Sequence, residues 1–581
     1  VTVTLPSPDP SVRQTRRWRV RPAPDPAEVA RLAEALRLPA PLCALLAVRG
    51  LADPEAAKRF LRPRLEHLSA PQALTTMPEA VARLARAVRG RERVLVHGDY
   101  DVDGISSTTL MVRVLRALGG DAVPFIPHRL TDGYDLSDAG VREAQRVGAR
   151  VVLTCDCGTS ASPAVAALQA AGIDVIVSDH HLPGGPLPSC VAVLNPRRPD
   201  ADPESGGRDL VAAGVAFQLA RALAAELGAD PRLVLQHLDL VALATVADVG
   251  ALRGDNRVLV RAGLKLMRET RNVGLQALLE AAGLDDGALT AGRVGFTLAP
   301  RLNAAGRLGH ALRGVELLLA DDPGEARAIA RELEELNRRR QQMDRDTLAE
   351  ALAMAAMRPA DASWGLVLAA EGWHAGVIGI VASRVVEQLH RPTVLVALDG
   401  DSGKGSGRSI PAFDLHAGLG ECRDLLARFG GHRAAAGVTV ARDRVAEFTA
   451  RFNAVAKARL TPDDLVPTLQ ADLLLPLAEV TDDFERLLRH VEPFGMGNPG
   501  PVFVADDVTL ATTPRVMKQE HVRFDVAEGG RELPVVGWRL AAAAEGLRAG
   551  DRVRLAYQVE RDTYRGADRL QLKLVDVVRA A

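Results

Sequence analysis

Three apolar runs, Arg93-Val94-Leu95-Val96-His97, Arg150-Val151-Val152-Leu153-Thr154 and Asp174-Val175-Ile176-Val177-Ser178, recur between helical patterns in the first half of the chain. Runs of this kind are the signature of strands buried on both faces of a parallel sheet. From about residue 76 to 200 the pattern predicts helix, strand, loop and helix in repetition, a doubly wound α/β domain. Residues 210–320 read as helical. Residues 324–357 carry a charged helical pattern with no Gly or Pro after Gly324, predicting a rigid connector that spans roughly 50 Å at 1.5 Å per residue.

A second α/β unit follows, with strands predicted near 365–369 and 393–397. It carries three glycine-bearing segments, 373–379, 403–409 and 430–433, read as loops. Each has an Arg, Lys or His beside it, which favours an anion-binding face. The last stretch alternates apolar and polar residues, as in Val522-Arg523-Phe524-Asp525-Val526, and predicts antiparallel strands. Basic residues interleaved with Phe524, Trp538, Tyr557 and Tyr564 suit an OB-fold that stacks bases, although aromatics at such positions are as often core. Residues 26–75 predict a small helical cap, and residues 1–24 a poorly ordered tail or a strap across the body.

The polar residues that follow these runs change the picture. They are His97-Gly98-Asp99-Tyr100-Asp101-Val102-Asp103-Gly104, Thr154-Cys155-Asp156-Cys157-Gly158, Ser178-Asp179-His180-His181 and Val246-Ala247-Asp248, all read at the ends of strands. Ligands of parallel sheets bind beyond the carboxyl ends of the strands, so these segments can converge. Period-2 spacing places Asp99, Asp101 and Asp103 on one side of an extended loop, with Gly104 turning the backbone into the next helix. An Asp after a strand is often only a helix cap. Three carboxylates within five residues are different, because they repel one another unless a cation or arginines lie between them. Together the four segments read as a two-metal phosphoesterase centre for Mn²⁺ or Mg²⁺.

Composition narrows the class. At 581 residues and 47% hydrophobic, the chain is long enough for about four domains. A net charge of −1 argues against a uniformly basic nucleic-acid sleeve, so any basic surface is local. Five cysteines make no disulfide framework, and Cys155 and Cys157, one residue apart, read as small packing residues. No stretch reaches 18 uncharged apolar residues and Val1–Pro6 has no signal-peptide character, so the expected location is cytoplasmic without a membrane.

Asp99-Tyr100-Asp101-Val102-Asp103-Gly104 with Asp179-His180-His181 resembles the DHH phosphoesterase superfamily. Within it, Arg301-Leu302-Asn303-Ala304-Ala305-Gly306-Arg307, Gly430–Gly437 and Pro493–Pro499 resemble the RecJ family of bacterial single-strand exonucleases, from about residue 50 onward. The resemblance implies an α/β multidomain fold. Its parts are an N-terminal tail and cap (1–75), a parallel-sheet DHH metal-binding domain (76–320) and a connector helix (321–358). A DHH-associated substrate-binding domain (359–462) and an OB-fold-like β-barrel (463–581) complete it.

Carried over residue by residue, the family pattern implies that His97, Asp101, Asp103, Asp156, His180 and Asp248 hold two divalent ions, Mn²⁺ or Mg²⁺, with Asp156 as the bridge. It implies a role for Asp99 behind the ligands, and places His181 on the scissile phosphate. The activity implied is 5′-to-3′ degradation of single-stranded DNA to 5′-mononucleotides in repair and recombination. Candidates for gripping the 5′ phosphate are Ser406, Arg408, Gly430, Gly431, His432 and Arg433, with Arg301, Asn303 and Arg307 on neighbouring phosphates. A cleft between two lobes is expected to admit one strand. A single-strand DNA-binding protein and a RecQ-type helicase are the partners this suggests, for a monomeric enzyme. Two readings compete: an oligonucleotide or cyclic-dinucleotide phosphodiesterase of the same superfamily, and a non-catalytic replisome scaffold.

Overall fold

The computed structural model describes residues 16–129, 131–133, 135–285, 289–359, 362–562 and 568–580. Its contacts divide the chain into two units: Glu55–Arg338 with Arg489–Gly500, and Val1–Pro54 with Arg339–Leu488 and Pro501–Ala581.

In the first unit, five parallel strands lie in the order Asp121–Phe125, Arg93–Gly98, Val151–Cys155, Asp174–Ser178 and Ala192–Leu194. Alternate residues point to opposite faces, and both faces are covered, which is why the runs are apolar throughout. Val94, Val96, Leu153 and Ile176 pack with Leu84, Leu110 and Phe217 from the helices Met77–Gly90, Val102–Ala117 and Ala212–Glu226. Leu95, Val152, Val175 and Val177 pack on the other side with Ala144 and Leu168, from Asp138–Arg146 and Ser162–Ala170. After Arg93–Gly98 the chain crosses to one side of the sheet and then returns to the other, so the strand order reverses between Arg93–Gly98 and Val151–Cys155. Their carboxyl ends flank a crevice of the kind where ligands of such sheets bind.

The helices Leu238–Ala247, Gly254–Met267, Val273–Ala281, Ala299–Leu308 and Leu312–Leu319 share a further core, closed by Ile329, Ala330 and Leu333. These last three lie on the 34-residue helix Pro323–Ala356, which runs as its sequence predicts. The division between the units falls within it, at Arg338 and Arg339.

Among the described residues the second unit holds three sheets, two of them large. Leu426–Gly431, Ala435–Ala441, Ser402–Arg408, Thr393–Asp399 and Leu366–Glu371 form a mixed sheet in that order. Two of the segments read as glycine loops are therefore strand. Ser402–Arg408 is the central strand, and Gly430 and Gly431 end another. In Ser402–Arg408 the glycines serve close packing rather than turning: a methyl group on Gly403 would stand 2.5 Å from Val396 Cγ1, and one on Gly405 2.5 Å from Val438 Cγ2. Further along, Phe503–Leu510 pairs with both Arg552–Asp562 and His521–Glu528, closing a ring with Arg569–Arg579 and Arg531–Gly537, an OB-type barrel.

The strand Arg17–Val20 lies parallel to Thr468–Ala471, and Trp18 Nε1 donates to Asp576 Oδ2 at 2.9 Å. Part of the expected tail is thus a strap on the barrel's unit; residues 1–15 lie outside the described residues. The segment 26–75 is largely helical, but its contacts divide at Pro54. Among the described residues no helix is long and apolar enough to cross a membrane.

Candidate metal centre

The carboxylates converge at the switch point, through local structure that the period-2 reading missed. Asp101 is a helix N-cap in extended conformation, its Oδ1 accepting from Asp103 N at 2.9 Å and Gly104 N at 3.2 Å. Asp103 and Gly104 therefore already lie in the first turn of Val102–Ala117, not in an extended loop. The Asp103 carboxylate is buried and accepts from Ala212 N (2.7 Å) and Ala213 N (2.8 Å), at the start of another helix. Two N–H groups and a helix dipole hold this oxygen pair in place.

Asp156 follows its strand with φ of 71°, a left-handed conformation disfavoured for a residue with a Cβ. Its N–H donates to Ser178 O at 2.9 Å, which ties it to the neighbouring strand. Asp248 follows the helix Leu238–Ala247, not a strand. His180 Nε2 stands 3.1 Å from Asp156 Oδ1, 3.6 Å from Asp248 Oδ2 and 3.8 Å from Asp103 Oδ2.

Three sets of side chains bring one donor atom each within 4.8 Å of one another: Asp99, Asp101 and Asp156; Asp156, His180 and His181; and Asp103, His180 and Asp248. Asp156 belongs to two of them. Burial, reinforced by the neighbouring carboxylates, pushes the Asp99, Asp103 and Asp156 carboxyls well above the usual range, and Asp248 up to about 7. Burial, then the neighbouring His181 charge, lowers His180 to about 4, so it is a neutral donor. The buried atoms Asp99 Oδ1, Asp156 Oδ1 and His180 Nε2 have no hydrogen-bond partner. Buried oxygen and nitrogen atoms that repel one another when charged fit a pair of divalent cations, which would offset that repulsion.

His97 lies outside these sets. It shares a face with Leu95, the face covered by the helix Asp138–Arg146. Its ring lies 5.3 Å from that of Phe125, its Nδ1 is 3.5 Å from Cys157 Sγ, and a methyl on Gly140 would meet its Nε2 at 2.8 Å. Asp99, expected behind the ligands, has an oxygen in one of the three sets. Cys155 and Cys157 are both buried, as packing residues should be.

In the sequence analysis Asp179 stands in a metal segment but has no role. Its Oδ1 accepts from His180 N (2.7 Å), His181 N (3.2 Å) and His181 Nδ1 (2.8 Å), and its Oδ2 from Thr159 N (3.0 Å). Burial alone would lower His181, but the bond and charge of Asp179 outweigh it and raise the imidazole to about 9. Asn195 was missed. Its Nδ2 donates to His181 O (2.8 Å) and Thr159 Oγ1 (2.9 Å), and its Oδ1 accepts from Arg197 N. The charge of Arg197 reaches His180 and Asp248. The only sequence signal was a short polar stretch after an apolar run, which names no role.

The segment Arg301–Arg307, read as a loop, lies in the helix Ala299–Leu308. Gly306 is a contact glycine: a methyl there would stand 2.3 Å from Tyr100 O. Asn303 Oδ1 accepts from Val102 N at 3.3 Å, so this helix is seated against the carboxylate segment. Arg301 pairs with Glu334 at 2.5 Å and donates to Thr297 O; the charge of Arg307 reaches Tyr100.

In the other unit, Arg408 Nη1 donates to Ser406 Oγ (3.1 Å) and Gly407 O (2.8 Å), Arg433 Nη2 to Pro411 O (2.9 Å), and His432 N to Ala435 O (2.8 Å). Of the four barrel aromatics, Phe524 and Tyr557 are core, the latter donating to Leu475 O. Trp538 is exposed, and Tyr564 lies outside the described residues.

Three family models match the chain: the DHH family N-terminal domain over residues 93–245, the DHHA1 domain over 364–458 and the RecJ OB domain over 471–576. The Single-stranded-DNA-specific exonuclease RecJ of Salmonella typhimurium is 36% identical over 587 residues, covering 97% of this chain and 100% of the relative. RecJ of Thermus thermophilus in complex with Mn²⁺ superposes with a TM-score of 0.84 at 34% identity, covering 97% of this chain and 80% of that one. The Mg²⁺ complex of the same protein gives 0.78, at 34% identity and with 97% and 79% covered. With identity of this level over nearly the whole chain, the chain belongs to the family of single-stranded-DNA-specific exonucleases RecJ.

Proposed function

We propose that this chain is a metal-dependent exonuclease that degrades single-stranded DNA from its 5′ end to 5′-mononucleotides, in cytoplasmic repair and recombination. The observation that carries this reading is the convergence of Asp99, Asp101, Asp103, Asp156, His180 and Asp248 at the sheet's switch point. In this reading Asp156 is shared, with Asp99 and Asp101 on one side and Asp103, His180 and Asp248 on the other. The residues fit two divalent cations, Mn²⁺ or Mg²⁺, which when bound supply the positive charge that an in-line phosphoryl displacement needs. His181, kept cationic by Asp179, donates to a phosphate oxygen. Arg197, Arg301, Asn303 and Arg307 take neighbouring phosphates, Arg301 sharing its charge with Glu334.

Ser406 and Arg408, with Gly430, Gly431, His432 and Arg433, grip the terminal 5′ phosphate. In support, Ser406 and Arg408 are two residues apart on one strand and so share a face, and a methyl on Gly379, in the first turn of the helix Ile378–Leu389, would lie 3.0 Å from Ser406 Oγ. A helix start beside a serine and an arginine suits an anion. A single-strand DNA-binding protein and a RecQ-type helicase are the proposed partners of a monomeric enzyme.

A hydrolase of short oligonucleotides or cyclic dinucleotides would use the same carboxylates but has no need of the closed barrel, and a non-catalytic scaffold has no need of so complete a donor set. Initial rates with Mn²⁺ on a long single strand, a blunt duplex, a dinucleotide and a cyclic dinucleotide test the proposal. The long strand should be digested fastest; preference for either small substrate would overturn it.

A further inference from the structure

Large apolar side chains are rarely exposed in the unit that carries the metal centre. Among the described residues of this unit the exposed ones are Leu182 (61% exposed), Val249 (57%), Phe296 (90%) and Met496 (57%). Leu182 follows His181, and Val249 follows Asp248. Phe296 sits on a π-helical turn, Val294–Leu298, of the kind often found at functional sites. That turn is seated against the end of the Asp248 helix, since a methyl on Gly295 would lie 3.2 Å from Val246 Cγ1. Met496 O accepts from Leu252 N at 2.7 Å, four residues beyond Asp248. Leu182 and Val249 thus adjoin residues of the metal centre, while the segments of Phe296 and Met496 touch Val246 and Leu252, on either side of Asp248 in the chain.

We propose that Leu182, Val249, Phe296 and Met496 form an apolar rim that holds nucleobases of the single strand while its phosphates face the metal centre, with Phe296 stacking on a base. This rests on the nuclease reading above and adds to it the part of the substrate that the carboxylates and arginines cannot recognise. Stacking on an aromatic face accepts every base, which suits an enzyme that digests without regard to sequence. A second copy of the chain is a poorer occupant, because a stable interface buries about 800 Å² per partner and this rim comprises four side chains. Phosphate contacts begin close by: Arg301 and Asn303 lie on the helix that continues from the Phe296 turn.

The test is binding of a fluorescent 5′-phosphorylated oligothymidylate by the full chain in EDTA, so that nothing is cleaved. A series of strands carries one abasic site at each of the first several positions in turn. For the wild type, one position should weaken binding roughly ten-fold when its base is removed. Phe296→Ala should bind the intact strand roughly ten-fold more weakly and lose sensitivity at that position alone, while Phe296→Trp keeps it. The exposed site makes Ala compatible with folding, which an unchanged Tm verifies.

Equal abasic profiles for wild type and Phe296→Ala, in a protein that binds and digests the intact strand, would overturn the rim and leave the nuclease reading standing. Failure of the wild type to bind or digest any strand would overturn both. A dimer in sedimentation that Phe296→Ala dissolves would assign the rim to a second copy and overturn it as well.

Discussion

His181 Nδ1 lies 2.8 Å from Asp179 Oδ1, a charge-assisted bond made by a carboxylate that also accepts three backbone N–H groups. The carboxyl, which burial would push up, is held well below its usual range by His181 and these bonds, while His181 is raised to about 9. The imidazole is therefore held cationic at neutral pH. Asp179→Asn should lower the His181 pKa toward its usual value near 6.5 and cut turnover roughly 10- to 100-fold. Histidine NMR titration with matched rates checks this; an unchanged pKa would remove Asp179 from the account.

The Asp156 carboxylate is common to two of the three donor sets. Asp156→Ala should lower turnover at least a thousandfold, a barrier rise of roughly 4 kcal/mol, while strand binding survives through distant phosphate contacts. Mn²⁺ calorimetry should lose both binding events. Retention of one at full affinity would show that Asp156 is not shared.

Without metal, the clustered carboxylates should make stability fall as pH rises. Burial and mutual repulsion raise Asp99, Asp103 and Asp156 well above their unfolded values, and Asp248 to about 7. The folded state then binds protons more tightly than the unfolded chain, so this contribution is fully present below about pH 4 and is lost as pH rises through about 7. The apparent Tm in EDTA should decline across that window, less steeply in Asp248→Asn, and Mn²⁺ should raise Tm most above it. An identical slope in Asp248→Asn would refute the assignment.

Gly306→Ala tests the seating of the helix Ala299–Leu308 on the carboxylate segment. The added methyl would meet Tyr100 O at 2.3 Å, so the helix or the segment must move. A loss of about 1–3 kcal/mol in urea denaturation and weaker Mn²⁺ binding are expected. Wild-type stability and metal affinity together would mean the contact is soft.

Much of this was legible in the chain. The strand runs, the long helix and the carboxylate clusters follow from local periodicity and from repulsion between like charges, which are properties of neighbouring residues. Glycine was the hardest residue to interpret, because it permits a turn and a close approach equally. Gly306 proved to be an approach within a helix and Gly405 one within a strand, each set by a partner distant in sequence, Tyr100 and Val438. For His97, period-2 alternation shows from the sequence that it shares a face with Leu95, but not that the helix Asp138–Arg146 covers that face. Phe524 and Tyr557 looked like base platforms because alternation does not say which face of a barrel is inside.

The most direct test of the central claim is digestion of one single strand labelled at either end, in Mn²⁺ and in EDTA. The account predicts that the 5′ label appears at once as mononucleotide, that the 3′ label passes down a ladder of shortening strands, and that EDTA stops both. The opposite polarity, internal cuts from either label, or digestion that persists in EDTA would contradict it.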